Sequence, residues 1–218
     1  MDHGVGLTVR AVLFDFNGTL SDDEHVLCEL FIRLFAEHGR PLSAQEYFDQ
    51  LAGFSDPEIV RSWLGRDHPD VEAVIEKRVA RYRAAVADGS TVHEPVRDAV
   101  RYTAERVPVG IVSGAARAEI EPVLEAAGLA ALFRPIVSSD DVAKGKPHPE
   151  GYLRALEQLA VPAEDVLVLE DTEAGVASAK AAGMRCVAVA GTLAPERLAA
   201  ADELVERIDV ELMRRLLQ

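Results

Sequence analysis

Three acidic residues of this 218-residue sequence follow apolar segments and could do chemistry together. Asp15 follows the apolar run VRAVLF, and the pair Glu170 and Asp171 follows VLVL. The carboxyl end of a buried strand is where ligands bind in open sheets, so a carboxylate there can project into a cleft. Carboxylates held close together repel one another unless a cation neutralises them, and Mg²⁺ prefers such oxygen ligands. The alternative is local, because Asp15 could cap its own turn, and Asp171 or Thr172 could cap the next helix.

Two further polar segments could bind the oxygens of a phosphate. Ser113 and Gly114 follow the apolar run PVGIV and precede a predicted helix, where a hydroxyl and free N–H groups favour anions. Lys146 lies in the loop AKGKPHP, and only four of the 23 basic residues are lysines. A second lysine in the same loop indicates a need for a compact ammonium group. A plain turn and a solvated loop charge are the alternatives.

The hydrophobic pattern places these residues in an alternating series of strands and helices. Strands are predicted at 9–14, 108–112, 135–138, 166–170, 185–189 and 203–205. Helices are predicted between them at 95–106, 116–127, 149–160, 173–182 and 209–217. Such alternation predicts an α/β fold with a mostly parallel sheet, whose ligands bind beyond the carboxyl ends of the strands. The polar clusters fall at those ends, so we expect the chemistry at one edge of the sheet.

A helical segment interrupts this alternation directly after the first strand. Apolar residues recur with a helical period from residue 21 to about 91, and this stretch contains no predicted strand. We therefore predict a core formed by residues 1–20 and 92–218 and an inserted helical domain formed by 21–91.

The composition excludes several classes of protein. The sequence has 37 acidic and 23 basic residues, a net charge of −14, which argues against nucleic-acid binding. No apolar run is long enough for a bilayer, and the amino terminus has no signal pattern. Cys28 and Cys186 lie far apart in apolar segments and are predicted to be free, buried thiols. We expect a cytoplasmic monomer or homodimer with no nucleic-acid or membrane partner.

Four motifs resemble those of the haloacid dehalogenase superfamily, in the same order and across essentially the whole chain. They are DFNGTL at 15–20, IVSG at 111–114, KGKPHPEGY at 144–152 and VLEDTEAGVASAKAAGM at 168–184. The last two are similar to the motifs of the branch that contains phosphoglycolate phosphatases and β-phosphoglucomutases. In that branch a helical cap is inserted into a Rossmann-like core after the first motif, where the 21–91 segment lies.

The resemblance implies Mg²⁺-dependent hydrolysis of a small phosphorylated substrate through an aspartyl-phosphate. Asp15 would be the nucleophile, and the metal would be bound by Asp15, the backbone carbonyl of Asn17, Asp171 and Glu170, the last as a ligand or through water. The phosphoryl oxygens would be held by Ser113, Gly114 and Lys146.

Residue 17 departs from the family, whose phosphatases have at this position an Asp that acts as general acid and base. An amide can do neither, which removes a contribution of about 10²–10⁴ in rate. Our first interpretation is a phosphatase with impaired or atypical acid–base catalysis, in which Asp23, Glu24 or His25 substitutes. The alternatives are a phosphate-binding or regulatory protein without turnover, and a hydrolase of another reaction type. The Asn could also deamidate at the Asn17-Gly18 step, or have been introduced to trap a complex.

The segment LAGFSD at 51–56 resembles the loop that sets specificity in the same branch. Phe54, Ser55 and Asp56 are therefore candidate substrate contacts, as is His25. β-Phosphoglucomutases have an Arg where Asp56 stands and a His where Leu27 stands. Both differences favour a substrate without a second phosphate over a sugar-phosphate mutase.

Overall fold

The computed structural model describes residues 8–218, which contain six strands and nine α-helices. The strands are β1 (Ala11–Phe14), β2 (Val109–Val112), β3 (Phe133–Val137), β4 (Val166–Glu170), β5 (Arg185–Val189) and β6 (Glu203–Val205). The helices are α1 (Glu24–Glu37), α2 (Ala44–Gln50), α3 (Asp56–Leu64), α4 (Val71–Ala85), α5 (Glu94–Ala104), α6 (Arg117–Ala126), α7 (Glu150–Leu159), α8 (Glu173–Ala181) and α9 (Val210–Leu216). Residues 1–7, the start of the predicted core, lie outside the described residues.

β1 lies inside one parallel sheet of order β3-β2-β1-β4-β5-β6. Val12 is paired with Val109 of β2 on one side and with Leu167 of β4 on the other. Because these three strands run in the same direction, their carboxyl ends meet at one edge of the sheet. The predicted α/β class with a parallel sheet is confirmed.

Helices cover both faces of the sheet, which explains why the central strands β1 and β2 are buried at every position rather than at alternate ones. Val12 and Phe14 belong to one buried cluster, which α5, α6 and α9 complete. Ala11 and Leu13 belong to a second cluster on the opposite face, completed by α7 and α8. β1 is thereby held from both sides, and the residue that follows it starts from rigid backbone.

Helices α1 to α4 lie between β1 and α5 in the chain and add no strand to the sheet. We call residues 24–85 the helical insertion. Its centre is aromatic: the rings of Phe31 and Tyr47 stack with centroids 6.0 Å apart, and Trp63 stacks on Phe35 at 6.3 Å. The Trp63 side chain also donates to the carbonyl of Arg40 at 3.0 Å. Trp63 therefore serves the packing of the insertion.

Two smaller predictions can be compared with this fold. Cys28 and Cys186 are both buried and free, as predicted. Among residues 8–218, no helix combines the length and the apolar character that crossing a membrane requires.

Candidate active site

A cavity of about 390 Å³ lies at the carboxyl edge of the sheet. The core lines it with residues that follow β1, β2 and β3, among them Asp15, Ser113 and Lys146. The helical insertion lines it with side chains that include Glu24 and Arg78. The predicted motifs therefore converge on one cavity, which the insertion helps to enclose.

Three buried carboxylates meet at the base of this edge. Asp15, Glu170 and Asp171 each place an oxygen within 4.8 Å of the others. The Lys146 ammonium joins two of them, since Nζ donates to Asp15 Oδ1 at 2.5 Å and also to Glu170 Oε1. One lysine cannot balance the charge of three ionised carboxylates in a buried site, so this cluster would be stabilised by a further cation.

Glu170 is the anchor of the cluster, because protein donors occupy both of its oxygens. Oε1 accepts from Lys146 and from the Tyr152 hydroxyl at 3.1 Å. Oε2 accepts from the Asp171 N–H at 3.0 Å, and from the N–H and Oγ1 of Thr172 at 3.2 and 3.1 Å. Among the three carboxylates it is the one best suited to orient its neighbours rather than to bind a metal directly.

Asp171 is held by two hydroxyl groups and by a close approach of the backbone. Thr19 Oγ1 donates to Oδ1 at 3.0 Å, and Thr192 donates to Oδ2. Gly18 has a φ of +73°, and a Cβ at this position would lie 2.0 Å from Asp171 Oδ2. The turn after Asp15 therefore requires glycine both for its backbone conformation and for its contact with Asp171.

The protonation of the cluster reflects its burial. Burial raises the pKa of Asp15 to about 7, although the neighbouring charge of Lys146 lowers it. Burial and the charges of Asp15 and Glu170 raise the pKa of Asp171 well above its ordinary value. For Lys146, burial acts to lower the pKa, but the two adjacent carboxylates raise it above its ordinary value. A divalent cation would favour the ionised carboxylates.

The side chain of Asn17 is directed toward Asp23, which directly precedes the helical insertion, and toward Tyr82 of α4. Nδ2 donates to Asp23 Oδ2 at 3.1 Å and to the Tyr82 hydroxyl at 3.2 Å. Tyr82 in turn donates to the same Asp23 oxygen at 2.5 Å. Burial raises the pKa of Asp23 to about 6. An Asp at position 17 would face this buried carboxyl group, whereas the amide supplies it with a hydrogen bond.

The backbone of Asn17 has a different function from its side chain. Among the described residues no N–H donates to its carbonyl oxygen, so this oxygen is free to coordinate a metal ion. The N–H of Gly18 donates to the Ser21 carbonyl at 2.8 Å. Because that nitrogen would have to attack the Asn17 side chain during deamidation, this hydrogen bond opposes the reaction.

Ser113 and Gly114 form a turn between β2 and α6. The Ser113 N–H donates to the Val137 carbonyl at 2.9 Å, which fixes the turn against β3. Ser113 Oγ accepts from the Ala115 N–H at 3.1 Å and keeps its own proton for another acceptor. The Gly114 N–H has no acceptor among the described residues. Both groups line the cavity and could bind phosphoryl oxygens.

Three of the four predicted substrate contacts line the cavity, and the fourth, His25, does not. Phe54, Ser55 and Asp56 line the cavity, and Phe54 is 45% exposed. His25 is exposed and is not among the residues that line the cavity. Asp56 forms an ion pair with Arg78, a cavity residue for which the sequence offered no motif. Arg78 pairs in addition with Glu119 of α6.

Several supporting residues were not found from the sequence. Their partners are distant in the chain: Thr19 with Asp171, and Arg78 with Glu119. Thr172 was the exception, because its position before an apolar helix indicated a cap. It does accept from the Gly175 N–H at 3.1 Å.

Carboxylates and a lysine lie at the carboxyl edge of a parallel sheet, and helices inserted after the first strand face them. Ligands bind at this edge in enzymes with open parallel sheets. The sequence profile described as haloacid dehalogenase-like hydrolase matches residues 12–189. The chain belongs to this family, which confirms the resemblance of its motifs and the prediction that it is a hydrolase.

Similar proteins agree with this assignment. Validoxylamine A 7'-phosphate phosphatase of Streptomyces hygroscopicus subsp. limoneus is 34% identical over 90% of this chain and 93% of its own. A phosphoglycolate phosphatase of Pseudomonas putida is 30% identical over 84% of this chain and 70% of its own. The crystal structure of CbbY from Rhodobacter sphaeroides in complex with phosphate has a TM-score of 0.83, with 28% identity over 94% of this chain and 96% of that one.

Proposed function

We propose that this enzyme hydrolyses a small phosphate monoester in two displacements, with Asp15 as the nucleophile and Mg²⁺ as the cofactor. The observation that carries the proposal is the contact of Lys146 Nζ with Asp15 Oδ1 at 2.5 Å, beside two further buried carboxylates. A carboxylate that starts from a rigid strand and borders a cavity can attack phosphorus, and the ammonium beside it can neutralise a phosphoryl oxygen.

The residues present fit a magnesium ion. Asp15, Asp171 and the free backbone carbonyl of Asn17 would hold it. Glu170 would orient this site, because it accepts from the Asp171 N–H and from Lys146. Mg²⁺ prefers oxygen ligands and is usually bound by one or two carboxylates together with substrate phosphate. When bound, the ion would neutralise negative charge on the phosphoryl group.

The chain's own groups would bind and orient the phosphate. The Ser113 hydroxyl and the Gly114 N–H are free to donate to phosphoryl oxygens from the β2 side. Lys146 donates from the loop after β3 and stays protonated, because the adjacent carboxylates raise its pKa. These donors hold the phosphorus near Asp15, so that binding and orientation supply much of the rate acceleration.

The charges on the insertion side of the cavity favour a substrate with a single phosphate. Arg78 is the cation that the insertion contributes to the lining, and its guanidinium already pairs with Asp56 and Glu119. A second phosphate there would meet two carboxylates and no unpaired arginine. The two relatives described above are named for substrates with one phosphate, which supports the same class for this enzyme.

We also propose that residues 21–91 act as a cap on the core formed by 1–20 and 92–218. The helices of the insertion line one side of the cavity, which supports this division. A cytoplasmic location and a monomeric or homodimeric state stay predictions from the sequence.

A second function follows from Asn17, whose amide is bound to Asp23 and Tyr82 and cannot transfer protons. A protein that binds phosphate without turnover would keep the same pocket. The two functions are distinguished by release of inorganic phosphate from p-nitrophenyl phosphate, with and without Mg²⁺, in the native enzyme and in Asn17→Asp. Mg²⁺-dependent turnover by the native chain supports the phosphatase; turnover by the variant alone supports the binding protein.

A further inference from the structure

Three consecutive titratable residues lie where α1 begins: Asp23 is its N-cap, and Glu24 and His25 are its first two residues. Successive helical residues are turned by about 100° from one another, so the three side chains point in different directions. His25 is exposed and outside the cavity lining. Asp23 is fully enclosed and directed at Asn17 and Tyr82. Glu24 is the member of the three that both carries a carboxyl group and lines the cavity with Asp15.

The Glu24 carboxyl group is fixed at one oxygen and free at the other. The Tyr47 hydroxyl donates to Oε1 at 2.8 Å. Oε2 has no hydrogen-bond partner among the described residues, and it is not one of the fully enclosed unpartnered atoms. Glu24 therefore has one oxygen free to contact a substrate in the cavity that it lines together with Asp15.

The surroundings of Glu24 also suit proton transfer near neutral pH. Burial raises its pKa to about 7, and the charges of Asp23 and Asp15 act in the same direction. The Tyr47 hydrogen bond and the positive charge of Arg78 act against this rise. Both the protonated and the ionised form are accordingly populated at neutral pH, as a group that must give and then take a proton requires.

We propose that Glu24 is the general acid and base of this enzyme and replaces the carboxyl group that residue 17 lacks. The proposal rests on the proposed phosphatase function. It makes Glu24 a catalytic residue that contacts the leaving-group oxygen and later the attacking water.

The proton and electron balance is complete without another reactant. An Asp15 oxygen bonds to phosphorus, and the bond from phosphorus to the leaving-group oxygen breaks with its electron pair on that oxygen. The Glu24 carboxyl gives its proton to that oxygen, so an alcohol leaves and Glu24 becomes a carboxylate. This carboxylate takes a proton from water as the water oxygen bonds to phosphorus. The Asp15–phosphorus bond then breaks with its electron pair on Asp15, and phosphate leaves.

The test compares Glu24→Gln with native enzyme on two probes in Mg²⁺. Glycerol 3-phosphate has a leaving alkoxide that needs a proton, whereas p-nitrophenyl phosphate has a leaving group that does not. We expect Glu24→Gln to lower steady-state turnover of both by about 10²–10⁴. With p-nitrophenyl phosphate alone, we expect a burst of p-nitrophenol stoichiometric with enzyme, because the first displacement continues and the second stalls. A merely structural role for Glu24 would give no such burst.

Two variants complete the experiment. Glu76→Gln changes an exposed glutamate of α4 and should leave both rates unchanged. Adding Asn17→Asp to Glu24→Gln supplies a carboxyl group at the other position and should restore turnover, which also shows that the double variant is folded.

The result has three outcomes. A burst and a rescue support the proposal. Native-like turnover of glycerol 3-phosphate by Glu24→Gln, or a loss without burst and without rescue, overturns it while the phosphatase function stands. Native enzyme that releases no phosphate from either probe overturns both.

Discussion

At the scale of single residues, Asn17 and Asp23 form a matched pair. The Asn17 amide donates to a carboxyl group that is fully buried, and Tyr82 donates to the same oxygen. A carboxylate at position 17 would add a negative charge beside Asp23 and near the acidic cluster of Asp15. The Asn17 side chain therefore cannot transfer a proton, but its hydrogen bonds stabilise the segment that leads into the insertion. The backbone carbonyl of Asn17 remains free to bind a metal.

Lys146 is the residue whose removal should affect phosphate binding and transfer most directly. Lys146→Met leaves Asp15 and Glu170 buried without their shared ammonium, so we expect kcat/KM to fall by about 10²–10³. Lys144→Met is the matched control: Lys144 lies in the same loop and also lines the cavity, but Asp15 and Glu170 pair with Lys146, so the loss of Lys144 should change kcat/KM only a few-fold. Steady-state kinetics of both variants with one phosphate ester measures the difference. Equal losses would mean that the loop acts through its overall charge.

The raised pKa of Asp15 predicts how Mg²⁺ binding depends on pH. Its folded-state pKa of about 7 lies above the ordinary 3.8, so protonation stabilises the metal-free fold. That contribution is complete below about pH 4 and is lost as pH rises through about 7. Mg²⁺ binds the carboxylate form, so we expect it to raise the melting temperature more at about pH 8 than at about pH 5.5. Thermal unfolding with and without Mg²⁺ measures this, and equal shifts at both pH values would contradict it.

At the scale of elements, the turn from β4 into α8 positions most of the acidic cluster. Glu170 ends the strand, and Thr172 caps the helix by accepting from the Gly175 N–H. Glu170 Oε2 accepts from the backbone of that same turn. Strand end, turn and helix start are therefore held together by one carboxylate.

Gly175 is the position that tests this arrangement. An added Cβ would lie 1.9 Å from the Glu170 carboxyl group, so Gly175→Ala must displace the carboxylate or the helix. Overpacking of this kind costs about 1–3 kcal/mol. We expect that loss in urea unfolding, together with a loss of phosphatase activity. Ala177→Ser, an exposed change in the same helix, should alter stability by less than about 0.5 kcal/mol. A Gly175→Ala protein as stable as this control would show that Glu170 is not fixed.

The parts of the fold that local pattern controls could be predicted from the sequence. β4, β5 and β6 have the predicted bounds, and β4 is the clearest case because its apolar run lies between two predicted helices. β3 begins at Phe133 instead of 135, since pairing with β2 extends it. Contacts between distant segments were not predictable, and periodicity alone could not show that Glu24 rather than His25 faces the cavity. Side-chain direction at a helix start depends on how the whole helix packs.

At the scale of the whole molecule, Arg78 connects the insertion to the core. It projects from α4 and pairs with Asp56 of the insertion and with Glu119 of α6. The guanidinium also lies 5.7 Å from the centroids of Phe31 and Tyr82. Burial raises the pKa of Glu119, and the charge of Arg78 opposes this rise. The pair is buried, so each charge depends on the other.

Removing Arg78 should therefore destabilise the protein strongly. Breaking a buried ion pair from one side costs about 3–5 kcal/mol, and we expect this loss for Arg78→Met in urea unfolding. Arg81→Met is the control: Arg81 lies one turn further along α4 and pairs with Glu37 at the surface. Its loss should not exceed about 1 kcal/mol. Similar losses for the two variants would show that Arg78 does not connect the two parts of the molecule.

The central claim is that phosphate is transferred to Asp15, and acid-quench trapping tests it most directly. The enzyme is mixed with p-nitrophenyl phosphate and Mg²⁺, quenched in acid during turnover, and mapped by peptide mass spectrometry. We predict a phosphate on Asp15 that requires Mg²⁺ and is absent from Asp15→Asn. Phosphate release by an enzyme whose Asp15 stays unmodified in the quenched samples, or stable labelling of a different residue, would contradict the account.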